Sequence, residues 1–375
     1  MTANLPSHGQ QLHSTLAADG SLRLELVEVP VVQPGPGQVV VRVEAAPINP
    51  SDLMTMLASA DPASGRFGDA VQLQLAPEEF DRRRGRIGQP LSVGLGGAGT
   101  VLAAGDGAEE LQGRSVAFLS LNRGSFGQYV TVGRDECALL PDGVSAAEGA
   151  DVFCNPMTAL AMAEHVKLEG QQALIHTAAA SNLGQMLVRI CQEDGIALVN
   201  VVRRQEQVDL LKGMGAEHVC NSSAPSFAED LRRAVAATGA RIAFDAIGGG
   251  SSVATLLRAI EDVAAAQLGY YSPYGSFGPK EVCIYGHLDT APTVLHNGEY
   301  GMDWTVRMWA MPQTVARVGP QRAAEMRRRV LDGLKSTFAS RFGHEVPLAR
   351  LLDREVMTAC ARQSTGEKYL INPTL

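Results

Sequence analysis

The segment from Leu174 to Ile190, LIHTAAASNLGQMLVRI, has the residue types of a strand, a tight turn and a helix that together could bind a phosphate group. A helix N-terminus presents backbone N–H groups without partners inside the helix, and these groups bind anions if the turn lets the backbone approach closely. The three glycine positions of a G-x-G-x-x-G pattern hold Ala179, Ser181 and Gly184, all small residues. The segment therefore indicates either an atypical pyrophosphate site or a well-packed strand-to-helix crossover.

Two arginines follow the next apolar segment, ALVNVV, about 20 residues after the turn, where an NAD site carries an acidic residue. A carboxylate would repel a 2′-phosphate, whereas the guanidinium groups of Arg203 and Arg204 can bind one through charge-assisted hydrogen bonds. The pair therefore indicates NADPH as the cofactor. The alternative is a surface arginine pair at a helix start, which is unfavourable for cations because the helix dipole is positive there.

These candidate residues require a sheet that brings strand ends together. From about Phe153 the segments QQALIHT, ALVNVVR, EHVC, RIAFDAI and VCIYGHL alternate with amphipathic helical segments, which predicts a doubly wound parallel sheet. Before it, apolar and polar residues alternate from Leu22 to Ala46 around QPGPGQ, which predicts antiparallel strands joined by a turn. We expect a β domain of residues 1–153 and 312–375 and a dinucleotide-binding domain of residues 154–311.

The segment from Ala58 to Pro90 shows no strand period and contains the charged sequence APEEFDRRRGRIG. It predicts a solvated charged helix, with a lid over the substrate as the alternative. After Trp309, a charged helical segment leads to a strand, a helix and a last strand, which we expect to rejoin the N-terminal β domain.

Bulk composition limits the classes of function. The chain has 375 residues, of which 45% are hydrophobic, and no apolar run approaches the roughly 20 residues of a membrane span, so we expect a cytoplasmic protein. Six cysteines without a C-x-x-C pair argue against disulfides and against a structural zinc lobe. A net charge of −8 argues against nucleic acid as a partner and favours small molecules.

Seven motifs occur in order along nearly the whole chain. The motifs are INPSD at 48–52, GLGGAGTV at 94–101, NPMTALAM at 155–162, AAASNLGQ at 178–185, LLKGMGAEHV at 210–219, IYG at 284–286 and GEKYLI at 366–371. Their order and spacing resemble the medium-chain dehydrogenase/reductase superfamily, and most closely its zinc-free quinone oxidoreductase and enoyl reductase-like branch.

The resemblance implies an α/β fold with an N-terminal GroES-like β-barrel-type domain, a Rossmann domain with a doubly wound parallel sheet, and a homodimer. Met302, Trp304, Met308 and Trp309 are then expected on an edge strand that pairs across the dimer, with a wall of the substrate pocket as the alternative. The resemblance also implies that Thr158 lies beside the nicotinamide and that Lys368 approaches the cofactor. Together with the phosphate-turn and strand-end residues, the candidate cofactor site comprises Asn49, Thr158, Ala179, Ser181, Asn182, Leu183, Gly184, Arg203, Arg204, Gly248, Tyr285, Gly286, His287 and Lys368.

Zinc alcohol dehydrogenases of the superfamily use a cysteine near the INPSD position and a histidine and glutamate in a G-H-E-G motif. In this sequence those positions hold Asn49 to Asp52, Leu95 and Gly96. Because leucine and glycine cannot ligate a metal, we expect no metal site.

The proton donor is not evident from the sequence. Related enoyl reductases have a tyrosine soon after INPSD, but no tyrosine occurs between Asp52 and Pro90. Asn49, expected to face the nicotinamide, and Ser51, a possible donor to the substrate oxygen, are the catalytic candidates. Helix capping is the alternative role of both residues, because Ser51 and Asp52 are residue types favoured at a helix N-cap. Solvent is the alternative source of the proton.

The leading hypothesis is a zinc-independent, NADPH-dependent oxidoreductase that transfers hydride to an activated alkene or a quinone. Without a Lewis acid to polarise a simple ketone, a conjugated carbonyl is the more suitable acceptor. The alternatives are a non-catalytic NADPH-binding redox sensor and a carbonyl reductase of the alcohol dehydrogenase type.

Overall fold

The computed structural model describes residues 5–363, 365–366 and 368–375. The chain forms two compact units, the first comprising Met1–Cys154 with Arg327–Leu375 and the second comprising Asn155–Met326. The sequence predicts domain boundaries after residues 153 and 311. Whether these segments fold as independent domains stays a prediction. Within the described residues, no helix combines the length and apolar character that crossing a membrane requires.

The N-terminal part of the first unit is built mainly of antiparallel strands. Its helices are α1 (Pro50–Leu57), α2 (Pro77–Arg82) and α3 (Ala146–Gly149). Its strands are β1 (His8–Leu16), β2 (Ser21–Pro30), β3 (Gln38–Pro47), β4 (Ala70–Gln74), β5 (Pro90–Ser92), β6 (Gly96–Ala104), β7 (Ser115–Leu119), β8 (Tyr129–Gly133) and β9 (Cys137–Leu139).

The predicted pairing of the strands between Leu22 and Ala46 is wrong. Strand β2 pairs with β1 and β4, whereas β3 pairs with β6 and β8 in a different sheet. The connection between β2 and β3 contains Pro34 and Pro36, which have no backbone N–H to donate to a ladder. The chain therefore leaves one sheet here and enters the other, and the hairpin partner of β2 is β1, with Leu16 opposite Leu22.

The segment from Ala58 to Pro90 contains a strand that its sequence did not predict. Strand β4 pairs with β2, with Leu73 opposite Leu22, and both leucines are buried. The charged helix that was predicted is present as α2, which has no buried residue. A lid role for this segment stays a prediction.

The second unit contains a six-stranded sheet in the order β12-β11-β10-β13-β14-β15, with parallel pairing throughout, as predicted. Its strands are β10 (Ala173–Thr177), β11 (Ala197–Val202), β12 (His218–Asn221), β13 (Ile242–Asp245), β14 (Lys280–Ile284) and β15 (Trp304–Met308). Its helices are α4 (Asn155–Leu168), α5 (Asn182–Asp194), α6 (Gln205–Gly213), α7 (Phe227–Thr238) and α8 (Ser252–Ala266).

Helix α9 (Met311–Asp332) is kinked at Gly319, where the backbone leaves helical geometry just before Pro320. It is followed by β16 (His344–Val346), α10 (Arg354–Arg362) and β17 (Tyr369–Ile371). Strand β17 pairs antiparallel with β3, with Ile371 opposite Ala46, and this pairing completes a seven-stranded sheet. The prediction that the C-terminus rejoins the N-terminal β structure is confirmed.

Candidate functional site

The phosphate turn connects β10 to α5 and is held by its own small residues. The Ser181 hydroxyl oxygen accepts a hydrogen bond from the backbone N–H of Gly184 at 3.1 Å, so Ser181 caps the helix. A β-carbon at position 184 would lie 2.1 Å from the carbonyl oxygen of Ala179. The turn therefore requires glycine at the third position of the pattern but accommodates alanine and serine at the other two. Asn182 and Leu183 form the first two helical positions, where N–H groups point out of the helix.

Arg203 and Arg204 lie at the end of β11, and both side chains are exposed. Their backbone N–H groups each donate to the side-chain oxygen of Gln207 at 3.1 Å, which fixes the chain at the start of α6. Among the described ion pairs, no carboxylate is bonded to either guanidinium group. The structure thus places two cations without a carboxylate partner at a helix N-terminus, where the helix dipole also favours an anion.

A buried carboxylate organises the ends of β10 and β13. Asp245 is fully buried and accepts hydrogen bonds from the Thr177 hydroxyl at 2.7 Å, the Ser252 hydroxyl at 2.9 Å and the Gly248 N–H at 2.9 Å. Gly248 has a positive φ of 78°, and a β-carbon there would lie 2.7 Å from the carbonyl oxygen of Gly286. Sequence reasoning missed Asp245, although it occupies the last position of a buried strand beside a glycine-rich turn.

Tyr285, just beyond β14, bonds to a buried histidine of β10. Its hydroxyl oxygen lies 2.7 Å from His176 Nε2, and the two rings stack with centroids 5.7 Å apart. Burial lowers the pKa of His176 to about 3, so the imidazole is neutral near pH 7, and burial raises the pKa of Tyr285. His287, two residues after Tyr285 in the chain, is exposed. Tyr285 is therefore tied into the interior of the unit as well as standing at a strand end.

In the first unit, α1 begins at the INPSD motif, and its capping differs in part from the prediction. Asn49 is the N-cap residue of α1, as its alternative role predicted. Asp52 is not the N-cap but the third residue of the helix, and its carboxylate accepts a hydrogen bond from the Asn49 backbone N–H at 2.8 Å. The other oxygen of Asp52 accepts the N–H of Leu95 at 2.9 Å. Ser51 lies exposed in the first turn, so its predicted capping role is wrong, and its catalytic role stays a prediction.

The environment of Asp52 favours its neutral form. Its side chain is 1% exposed, and this burial raises the pKa to about 7 despite two backbone N–H donors and the nearby Lys368. The same buried region raises the pKa of the Cys154 thiol, because burial and the charges of Asp151 and Asp52 disfavour a thiolate. Cys154 is therefore a thiol near neutral pH.

Asp151 joins two of the predicted cofactor contacts. Its Oδ2 atom lies 2.7 Å from the Lys368 ammonium and 3.0 Å from the Ser340 hydroxyl. Its Oδ1 atom is 3.5 Å from the side-chain amide nitrogen of Asn49. Asp151 and Asn49 are buried, and the Lys368 side chain is 13% exposed. The sequence did not single out Asp151, because its partners lie 102, 189 and 217 residues away.

The predicted site residues thus fall into local groups, each described within its own unit. Ser181 and Gly184 meet in the phosphate turn, Gly248 and Gly286 meet at neighbouring strand ends, and Asn49 and Lys368 meet at Asp151. Thr158 lies half-buried near the start of α4. Their contacts with a cofactor stay predictions.

One group of metal-ligand residue types occurs among the described residues, and it belongs to the second unit. Ligand atoms of His165, Glu281 and Cys283 all lie within 4.8 Å of one another. The Arg307 guanidinium lies 2.6 Å from Glu281 and 3.2 Å from His165, so a cation already occupies the surroundings of this group. The expectation of a metal-free protein stays a prediction.

Comparison with known proteins identifies the family. The family model described as alcohol dehydrogenase GroES-like domain matches residues 35–142, and that described as zinc-binding dehydrogenase matches residues 183–267. The matches fall on the β-rich first unit and on the parallel-sheet unit, in that order. The chain belongs to the medium-chain dehydrogenase/reductase superfamily. Its relatives place it in the quinone oxidoreductase and enoyl reductase-like branch.

Among solved structures, the chain is similar to a putative NADPH:quinone reductase from Mesorhizobium loti, with 27% sequence identity and a TM-score of 0.74 over 99% of this chain and 100% of the other. The mitochondrial enoyl-acyl-carrier-protein reductase of Caenorhabditis elegans is 29% identical over 203 residues, which are 53% of this chain and 52% of that protein. A mycocerosic acid synthase-like polyketide synthase of Mycobacterium tuberculosis is 30% identical over 295 residues, 78% of this chain but only 12% of that protein.

Proposed function

We propose that this protein binds NADPH and reduces an activated alkene or a quinone without zinc. The observation that carries the proposal is the exposed pair Arg203 and Arg204 at the end of β11, without a carboxylate partner among the described residues. Two guanidinium groups at this position suit a 2′-phosphate and would be an unexplained electrostatic mismatch without one. The names of the Mesorhizobium loti and Caenorhabditis elegans relatives support the same chemistry.

The residues of the second unit fit a dinucleotide. The capped N-terminus of α5 offers backbone N–H groups to a pyrophosphate, and the close approach of Gly184 to Ala179 keeps that turn compact. Asp245 holds the Gly248 turn, and the glycines Gly248 and Gly286 let the backbone segments beyond β13 and β14 approach each other closely. When bound, NADPH supplies a hydride to the electron-poor carbon of the substrate.

The first unit supplies the groups proposed for the reacting end. Asn49 offers an amide and Lys368 an ammonium group, and both are held by Asp151. Ser51, exposed at the start of α1, is the proposed donor to the substrate oxygen. Since the region from Asp52 to Pro90 has no tyrosine, we propose that the proton added to the substrate comes from solvent.

Turnover with a panel of quinones, enones and enoyl thioesters tests this proposal directly. We expect oxidation of NADPH, followed at its absorbance, with at least one activated alkene or quinone, in metal-free buffer and in protein treated with a chelator. Binding of NADPH without turnover of the panel would instead favour a redox sensor. Activity on simple ketones that is lost with the chelator and restored by zinc would favour a carbonyl reductase of the alcohol dehydrogenase type.

A further inference from the structure

Asp151 is a buried acidic residue that follows α3, and although it contacts Lys368 and Asn49, it is not itself proposed to contact the cofactor or the substrate. Its side chain is 2% exposed, in contrast with the exposed carboxylates on the surface of the same unit. A buried carboxylate is stable only if it is paired or hydrogen-bonded, and Asp151 has a cation and two neutral donors. The donors come from three separate parts of the chain, before α1, after α9 and before β17.

The donors Lys368, Asn49 and Ser340 are not equivalent for the proposed reaction. Ser340 has no assigned role, but Lys368 and Asn49 are the two groups of this unit proposed to contact the cofactor. Lysine has a flexible four-carbon stem, so an unrestrained ammonium group would lose much freedom on binding a ligand. Asp151 at 2.7 Å takes one of the three N–H groups of Lys368, and the ring of Phe342 lies 5.3 Å from the same nitrogen. The ammonium group is therefore held in one place and retains hydrogens for another acceptor.

We propose that Asp151 is a positioning residue that fixes the Lys368 ammonium group and the Asn49 amide for binding of the nicotinamide cofactor. The inference rests on the proposed function, in which these two side chains contact NADPH. A carboxylate that sets two contacts in advance increases affinity by reducing the ordering required on binding. If Asp151 only neutralised the positive charge of Lys368, the opposite result would be expected. Removal of the carboxylate would then leave more positive charge near an anionic cofactor and strengthen its binding.

Fluorescence titration of NADPH into the full chain separates these possibilities. For Asp151→Asn, which removes the charge but little volume, we expect the Kd to rise about tenfold, equivalent to ~1.4 kcal/mol. We also expect a shallower dependence of Kd on salt concentration, because a displaced ammonium group contributes less to attraction of phosphates. A loss of affinity from general structural damage would not change that dependence. A Kd equal to or below that of the wild type would overturn the proposal.

Matched variants complete the test. Asp135→Asn removes a carboxylate that is 98% exposed in the same unit and is expected to leave the Kd unchanged. Lys368→Met should weaken binding, and adding Asp151→Asn to it should cause a smaller further loss than Asp151→Asn causes alone, because only the Asn49 amide is then left for the carboxylate to position. If Asp151→Asn does not fold, Asp151→Glu keeps the charge and displaces the ammonium group, so a raised Kd supports the proposal and an unchanged Kd contradicts it. Failure of the wild type to bind NADPH would instead refute the proposed function.

Discussion

Gly184 and Ala179 approach each other so closely that a β-carbon at position 184 would lie 2.1 Å from the Ala179 carbonyl oxygen. No rotation of a side chain can relieve this contact, because both atoms belong to or extend directly from the backbone. The pattern of one retained glycine and two small replacements therefore follows from geometry. A phosphate turn needs its backbone segments to approach each other closely. In this turn, only position 184 has no room for a β-carbon and therefore requires glycine.

Gly184→Ala is therefore expected to shift the start of α5 and weaken NADPH binding at least tenfold, with a loss of about 1–3 kcal/mol in unfolding free energy. Calorimetric titration and urea denaturation measure the two effects. Gly213→Ala is the matched control, since a β-carbon at that helical glycine meets nothing within 4 Å. Unchanged NADPH affinity in Gly184→Ala would show that this turn does not bind the pyrophosphate.

Asp52 predicts a specific pH dependence of stability. Because its pKa is raised in the folded protein to about 7, the protonated form is favoured by folding. The contribution of Asp52 to the unfolding free energy is fully present below the pKa of an aspartate in the unfolded chain, about 3.9. This contribution is lost as the pH rises towards 7, by at most about 1.4 kcal/mol per pH unit. The wild-type unfolding free energy minus that of Asp52→Asn should therefore decline between pH 4 and 7. A difference that stays constant, or that grows, across this range would show that Asp52 is ionised in the folded protein.

The edge of the parallel sheet predicts an oligomeric state. Strand β15 is an edge strand of the six-stranded sheet. Met308, the last residue of this strand, is 53% exposed, and Met302, two residues before the strand, is 58% exposed. An open edge with apolar side chains favours pairing with a second copy. We expect a homodimer by light scattering and a monomer for Met302→Glu with Met308→Glu. Tyr271→Glu, at a residue 89% exposed in the same unit, should remain dimeric. A wild-type monomer at all concentrations would contradict the dimer.

The parallel-sheet unit was largely predictable because its strands and helices carry distinct hydrophobic periods. Leu187 and Ile190 lie buried on α5 as their spacing indicates, and β10 to β14 were each predicted from apolar segments. Strand pairing in the first unit was not predictable in the same way. Alternation shows that β2 and β3 are strands, but it does not show which sheet each one joins.

The candidate site was predictable where its residues are close in sequence. The turn from Ala179 to Gly184 is local, so a motif describes it. Asp151 and Asp245 were missed because their roles depend on side chains brought together by tertiary folding, such as Lys368 for Asp151 and Thr177 for Asp245. A buried carboxylate with distant partners leaves no spacing pattern in a single sequence.

The selectivity for NADPH over NADH shows whether Arg203 and Arg204 bind the 2′-phosphate of the cofactor. In Arg203→Gln with Arg204→Gln, the two cations at the end of β11 are removed, and the preference for NADPH should fall about tenfold to a hundredfold, equivalent to ~1.4–2.7 kcal/mol. NADH affinity should stay nearly constant, and Arg232→Gln, at an exposed position of α7, should bind both cofactors like the wild type. The measurement is the ratio of the two Kd values at one salt concentration. A ratio that is the same in the double variant and the wild type would show that these arginines do not bind the 2′-phosphate.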